Sequence, residues 1–206
     1  MGEMAFKMED KEEKQRIFSN GDLVKLIIPL IVEQLLMVTV GLADSIMIAS
    51  VGEAAVSGVS LVDSVMVLMA NVFAALATGG AVVAGQFLGQ KKFKMACQTA
   101  DQLVLFISAL AFGIILMIYA GRNLILHGVF GQIEADVMYN ARIYLLIVTA
   151  SIPFLAVYNG CAALFRTMGN SKIAMNMSLL MNGINIAGNA LFIYGIGMGV
   201  EGAAIP

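Results

Sequence analysis

Five long apolar runs divide this chain, at roughly 23–49, 57–87, 97–120, 137–163 and 173–196. About 20 mainly apolar residues wound as an α-helix cross the ~30 Å of hydrocarbon in a bilayer. Inside hydrocarbon, backbone N–H and C=O groups have no water to bond, so each segment must satisfy its own as a helix. The expected fold class is therefore all-α: a polytopic transmembrane helix bundle of five complete spans with the start of a sixth from about residue 200, VEGAAIP. Composition agrees, since 60% of the 206 residues are hydrophobic and only 13% are charged, against about 25% charged in soluble domains.

Residues 1–20 are polar and mixed in charge, with KMEDKEEKQR over 7–16. They lack the short apolar core and cleavage site of a secretory signal, so the first apolar run is expected to stay as a membrane anchor. The remainder, 21–206, forms the transmembrane lobe. Short connections carry turn residues: Gly52-Glu53, Gly89 to Lys92, Gly121 to Gly131, and Gly169 to Ser171. Cytoplasmic loops are enriched in Lys and Arg. With the N-terminus inside, Lys7, Lys11, Lys14, Arg16, Lys25, Lys91, Lys92, Lys94, Arg166 and Lys172 fall inside, and only Arg122 and Arg142 fall outside. The expected location is an inner or plasma membrane, multi-pass, with a cytoplasmic N-terminus. Pro206 falls where a helix should continue, which points to a longer gene product.

Several function classes drop out. Net charge is −2 and the basic residues form no patch, so no nucleic-acid partner is indicated. Cys97 and Cys161 stand far apart in or beside apolar stretches, which suits small fillers and neither a zinc site nor a disulfide framework. His127 sits in an outside connection and needs no special role. No nucleophile–base constellation and no HExxH motif is present, so no enzyme site and no cofactor is expected.

The polar residues inside the spans carry the functional reading. A charged side chain at mid-bilayer costs about 2.5–3.5 kcal/mol on insertion scales and normally faces a bundle interior or a wet cavity. The first span holds Glu33, Gln34 and Asp44. Glu33 and Asp44 are 11 positions apart, so they differ by only about 20° around the helix and by roughly 16 Å along it. Met37 and Gly41 lie near that stripe. Two carboxylates on one face can form a track for a proton or a sodium ion; the alternative is a carboxylate salt-bridged in the fold or near the headgroups. Pro29 precedes them and removes a helical hydrogen bond, giving a bend or hinge. In the second span, Asp63 is expected to snorkel to the outer interface, and Ala77, Ala81 and Gly85 form a small-residue stripe for close helix packing. In the fifth span, Ser178, Asn182, Asn185 and Asn189 stand at offsets of 0, 4, 7 and 11, one helical stripe. Interhelical hydrogen bonding is one use of such a stripe; a wet cavity wall for a cation or polar substrate, with Gln34, Met37, Asn182 and Ser178 on the substrate side, is the other. The 15 methionines suit promiscuous apolar surfaces as well as lipid or core packing.

These features stand in an order that resembles the MATE family, the multidrug and toxic compound extrusion transporters. PLIVEQLLMVTVGLAD over 29–44 is similar to the family's proline-to-aspartate spacing in its first helix. SVGEAAVSGVSLVDS over 50–64 resembles its outer turn into the second helix, and GQFLGQKK over 85–92 its basic inside loop. ALFRTMGNSK over 163–172 resembles its Arg-x-x-Gly loop, and NIAGNALFIYG over 185–195 its fifth-helix motif. The resemblance implies two pseudo-symmetric six-helix lobes, of which this chain is a partial N-terminal one lacking its C-terminal lobe. It implies efflux of cationic, amphipathic small molecules by antiport with Na⁺ or H⁺. Asp44 then matches the acidic cation-coupling residue, a possible Na⁺ ligand; Pro29 matches the bend-associated proline; Asn185 matches an asparagine of the same site. One branch carries Asp where this chain has Asn189. Glu33 is no family landmark, so its place in cation coupling rests on the helical geometry above. Two other readings remain. A lipid-linked oligosaccharide flippase would need several Arg or Lys within the spans, and only Arg142 is near one. A short non-transporting membrane subunit would be distinguished by its length.

Overall fold

The computed structural model describes residues 20–129, 131 and 133–206. The polar segment 1–19 lies outside the described residues, and so does the side chain of His127. Helix α1 is Asn20–Ala49, α2 is Glu53–Gly89, and α3 is Phe93–Leu124, which runs into a π-wound turn Ile125–Val129. Helix α4 is Ala135–Thr149, α5 is Ile152–Thr167, and α6 is Ser171–Asn189, continuing as a π-wound stretch Ala190–Gly195. Helix α7 is Val200–Ala204. Among the described residues there is no strand, as an all-α membrane bundle requires.

Helices α1, α2, α3 and α6 with its π-wound extension are each long and apolar enough to cross a membrane. The fourth run, expected as one segment over 137–163, is two helices, α4 and α5, bent by 49° and passing the same test as one broken span. The cause is local. Pro153 stands in the first turn of α5, where its missing N–H costs nothing, but its ring prevents the helical ladder from running through from α4. Pro29, by contrast, is buried within continuous helix α1.

Helix α2 is the hub. It packs on α3, α4 and α5, while α1 lies mainly along α6. The main core joins Phe73 of α2, Ile107 of α3, Leu145 of α4 and Ile152 of α5, each fully buried. Small residues set the spacing, with Ala77, Ala81, Ala111, Ala141 and Ala156 all in that core. The expected α2 stripe is thus a packing face, and Gly85 at its end abuts Thr167. A second cluster, at the outer ends on the orientation expected above, joins Ile48, Ala55, Val59 and Val200. Apolar side chains also cover the outside: Leu35, Val38, Leu42, Ile46, Leu105 and Leu116 are exposed. Such a surface suits hydrocarbon and not water.

The tightest approach of a glycine to a neighbouring helix backbone is at Gly58. A Cβ there would stand 2.8 Å from the Ala141 backbone nitrogen and 3.0 Å from the Val137 carbonyl oxygen. Those are backbone atoms, so relief requires α2 and α4 to move apart. Gly58→Leu is expected to cost roughly 1–3 kcal/mol, read as a lower melting temperature in detergent. Gly113→Leu, where nothing lies within 4 Å of the added Cβ, should melt like the parent. Equal melting of the two variants would contradict the packing.

Candidate functional site

Helix α1 buries Pro29, Glu33, Val40 and Ile48, and Asp44 is half-buried on the same side. At 100° per residue all five fall within about a 100° arc, so one stripe faces the bundle and the rest is apolar exterior. The stripe brings its two carboxylates to separate places.

The outer place is built on Asp44. Asn189, at the end of α6 and 1% exposed, donates through its Nδ2 to Asp44 Oδ1 at 2.7 Å. The same amide nitrogen reaches Asn185 Oδ1 at 3.3 Å. Both acceptors are oxygens, so the Asn189 amide is fixed with Nδ2 toward Asp44. A hydrogen bond to a charged acceptor contributes about 1.5–3 kcal/mol. The α6 helix gives way to π winding one residue after Asn189, a distortion often found where helices build sites. Oδ1 of Asn189 is buried and has no hydrogen-bond partner. An unpaired buried carbonyl oxygen next to a carboxylate is a liability alone and a ligand for a bound cation.

The inner place is built on Glu33, which is 3% exposed. Its Oε1 accepts from Arg166 Nη2 at 2.6 Å and from Tyr158 Oη at 3.2 Å. Arg166 sits in the last turn of α5 and turns back into the bundle to tie α5 to α1. Glu33 Oε2 and Arg166 Nε are buried without a partner. The carboxylate expected in a two-acid track is therefore neutralised by a cation of its own, through the salt-bridged alternative. The 11-residue spacing puts Glu33 and Asp44 on one face, but a full three turns apart, and they do not share ligands.

The α6 stripe divides in the same way. Asn189 bonds Asp44 and Asn185 bonds Asn189, whereas Asn182 Nδ2 donates to Ser178 Oγ at 3.3 Å within the helix. Gln34 and Met37 are exposed, and stand about two to three turns along α1 from Asp44.

Three partners were not legible. Asp63, expected to snorkel, is exposed and accepts a hydrogen bond at Oδ1 from Tyr144 Oη of α4 at 3.0 Å. Arg166 reads in sequence as an inside-loop cation, and nothing in the sequence singles out Tyr158. Pairings across 81, 125 and 133 positions leave no periodic signal in one sequence. Among the described residues no group of three or more His, Cys, Asp or Glu could hold a metal ion.

The family model MatE matches residues 29–191, from Pro29 through the Asn185–Asn189 segment. The chain is 27% identical over 199 residues, 95% of its length, to a protein of Bacillus subtilis named as an uncharacterized transporter, YisQ, and covers 43% of that protein. It is 27% identical, again over 95% of its length, to a probable multidrug resistance protein NorM of Thermotoga maritima, covering 42% of it. An outward-facing structure of a multidrug resistance MATE family transporter matches 89% of this chain with a TM-score of 0.83 at 22% identity, and the match spans 40% of that structure. At that identity the likeness concerns the fold. The chain thus spans about two fifths of the length of the relatives it matches. The match of the family model across most of the chain, with the bundle described above, makes this a multi-pass membrane protein and not an enzyme: the chain belongs to the MatE family, the multidrug and toxic compound extrusion transporters.

Proposed function

We propose that this chain forms the N-terminal lobe of a secondary active transporter that expels cationic, amphipathic small molecules in exchange for Na⁺ or H⁺. Its setting is the inner or plasma membrane, with the N-terminus cytoplasmic, and a C-terminal lobe completes the transport path. The observation that carries the reading is the Asp44–Asn189–Asn185 cluster: a carboxylate with no basic partner among the described residues, beside a buried, unpartnered amide oxygen. A cation entering there meets preformed oxygen ligands and removes the uncompensated charge. Its binding favours one arrangement of a two-state bundle, and substrate binding favours the other. Pro29 acts as the bend of α1 below this site, and Ser178, Asn182, Gln34 and Met37 contribute substrate contacts when the lobes are joined.

The flippase reading is disfavoured by charge. Arg166 does point into the bundle, but Glu33 neutralises it at 2.6 Å, leaving no free cation there for a phosphate. The test is transport by the full-length protein in liposomes. An imposed inward Na⁺ or H⁺ gradient should drive counterflow of a fluorescent organic cation, and no gradient should leave it at the leak rate. Equal rates with and without either gradient would contradict antiport.

A further inference from the structure

Near the Asp44 cluster stands a second carboxylate, the exposed Asp63 of α2, which nothing in the α1–α6 contact accounts for. Ile48 lies one turn after Asp44, and Val59 lies one turn before Asp63. Ile48 and Val59 belong to the same small buried cluster with Ala55 and Val200, and Tyr144 packs against it. Helices α1 and α2 run in opposite directions through a tight turn at Gly52, whose φ is 140°. Each therefore presents a carboxylate one turn, ~6 Å, below a shared apolar plug. Tyr144 packs against that plug and donates to Asp63 at 3.0 Å. Tyr144 thus ties Asp63 to the same plug that stands one turn beyond Asp44. Among the described residues the ion pairs are Lys25–Asp22 and Arg166–Glu33, so neither Asp44 nor Asp63 has a basic partner. The third feature is the Asn189 amide oxygen, 1% exposed and unpartnered, on the group that holds Asp44.

We propose that Asp63, positioned by Tyr144, is the second carboxylate of the cation pocket, and that Asp44 and Asp63 together hold a monovalent metal cation such as Na⁺ beneath the Ile48–Val59–Val200 plug. This deepens the transport reading and rests on it. Two like charges in a medium poorer than water repel, and a cation between them converts that repulsion into attraction. The donors are hard oxygens, which suit an alkali cation, and two carboxylates are too few for a dedicated divalent site.

The test is binding of radioactive Na⁺ to the detergent-solubilised full-length protein by scintillation proximity, with a melting temperature for each variant. Asp44→Asn and Asp63→Asn should each weaken Na⁺ at least about tenfold. An asparagine in place of Asp63 can still accept from Tyr144, so the fold is kept. Tyr144→Phe, which frees the Asp63 carboxylate, should weaken Na⁺ by a smaller factor. Lys92→Gln, beyond the opposite end of α2 from Asp63, should bind as the parent does. If Asp44→Asn loses Na⁺ while Asp63→Asn binds within twofold of the parent, the Asp63 role is overturned and the Asp44 site stands. If neither substitution matters, both are overturned. If the parent binds no Na⁺, the two-carboxylate metal site is overturned, while proton-driven antiport through Asp44 is left to the transport assay. If Asp63→Asn does not fold, folded Tyr144→Phe decides: unchanged affinity there overturns the proposal.

Discussion

Asp44→Asn in the full-length protein is expected to abolish ion-driven efflux, bringing counterflow down to the rate without a gradient. The substitution is nearly isosteric. The introduced amide oxygen can still accept from Asn189, so the α1–α6 contact at 2.7 Å has a replacement and the melting temperature should barely move. What disappears is the charge. A neutral amide neither takes up a proton nor holds an alkali cation against its hydration, so the ion no longer distinguishes the two states of the bundle. A ligand that binds both states equally shifts neither. The comparison with Asn189→Ala separates charge from geometry. That variant keeps the carboxylate but removes its donor and the adjacent amide oxygen, so coupling should weaken without vanishing. Efflux by Asp44→Asn at the parent's gradient-driven rate would remove Asp44 from the coupling site.

The second large effect is structural. Arg166→Gln leaves Glu33, 3% exposed, as a buried carboxylate with only Tyr158 for support. Removing one partner of a buried pair costs about 3–5 kcal/mol, and because the Arg166 side chain is 34% exposed the lower end, about 3 kcal/mol, is expected. For a chain of this size that lowers the melting temperature by roughly 6–12 °C. The double variant Glu33→Gln/Arg166→Gln removes both charges and should recover most of the loss, since a neutral pair pays no ionic desolvation. A double variant no more stable than Arg166→Gln would show that the ion pair is not what holds α5 to α1.

These two sites also mark how far one sequence can be read. The spans were legible because hydrocarbon imposes length and apolarity on every crossing helix, and the broken fourth was missed although Pro153 was in plain view. The stripe of Glu33 and Asp44 was legible from an 11-residue spacing, because helical geometry fixes the angle between them. It does not fix what stands opposite. Arg166 is 133 positions from Glu33, and Tyr144 is 81 from Asp63. Such pairings depend on helix order and crossing, which α2 sets by packing on three neighbours at once. The same limit divided the α6 stripe: a run of four polar residues looks uniform in sequence, yet only Asn189 bonds Asp44, with Asn185 bonded to Asn189 in turn.

Infrared difference spectroscopy on the full-length protein tests the cation pocket most directly, because it sees the carboxylate itself. Adding Na⁺, or stepping pH in its absence, should produce carboxylate difference bands in the parent. Metal binding shifts the carboxylate stretches, and protonation adds a carboxyl C=O stretch. In Asp44→Asn the bands assigned to that residue should vanish. Difference spectra identical in the parent and in Asp44→Asn would contradict a cation site at Asp44.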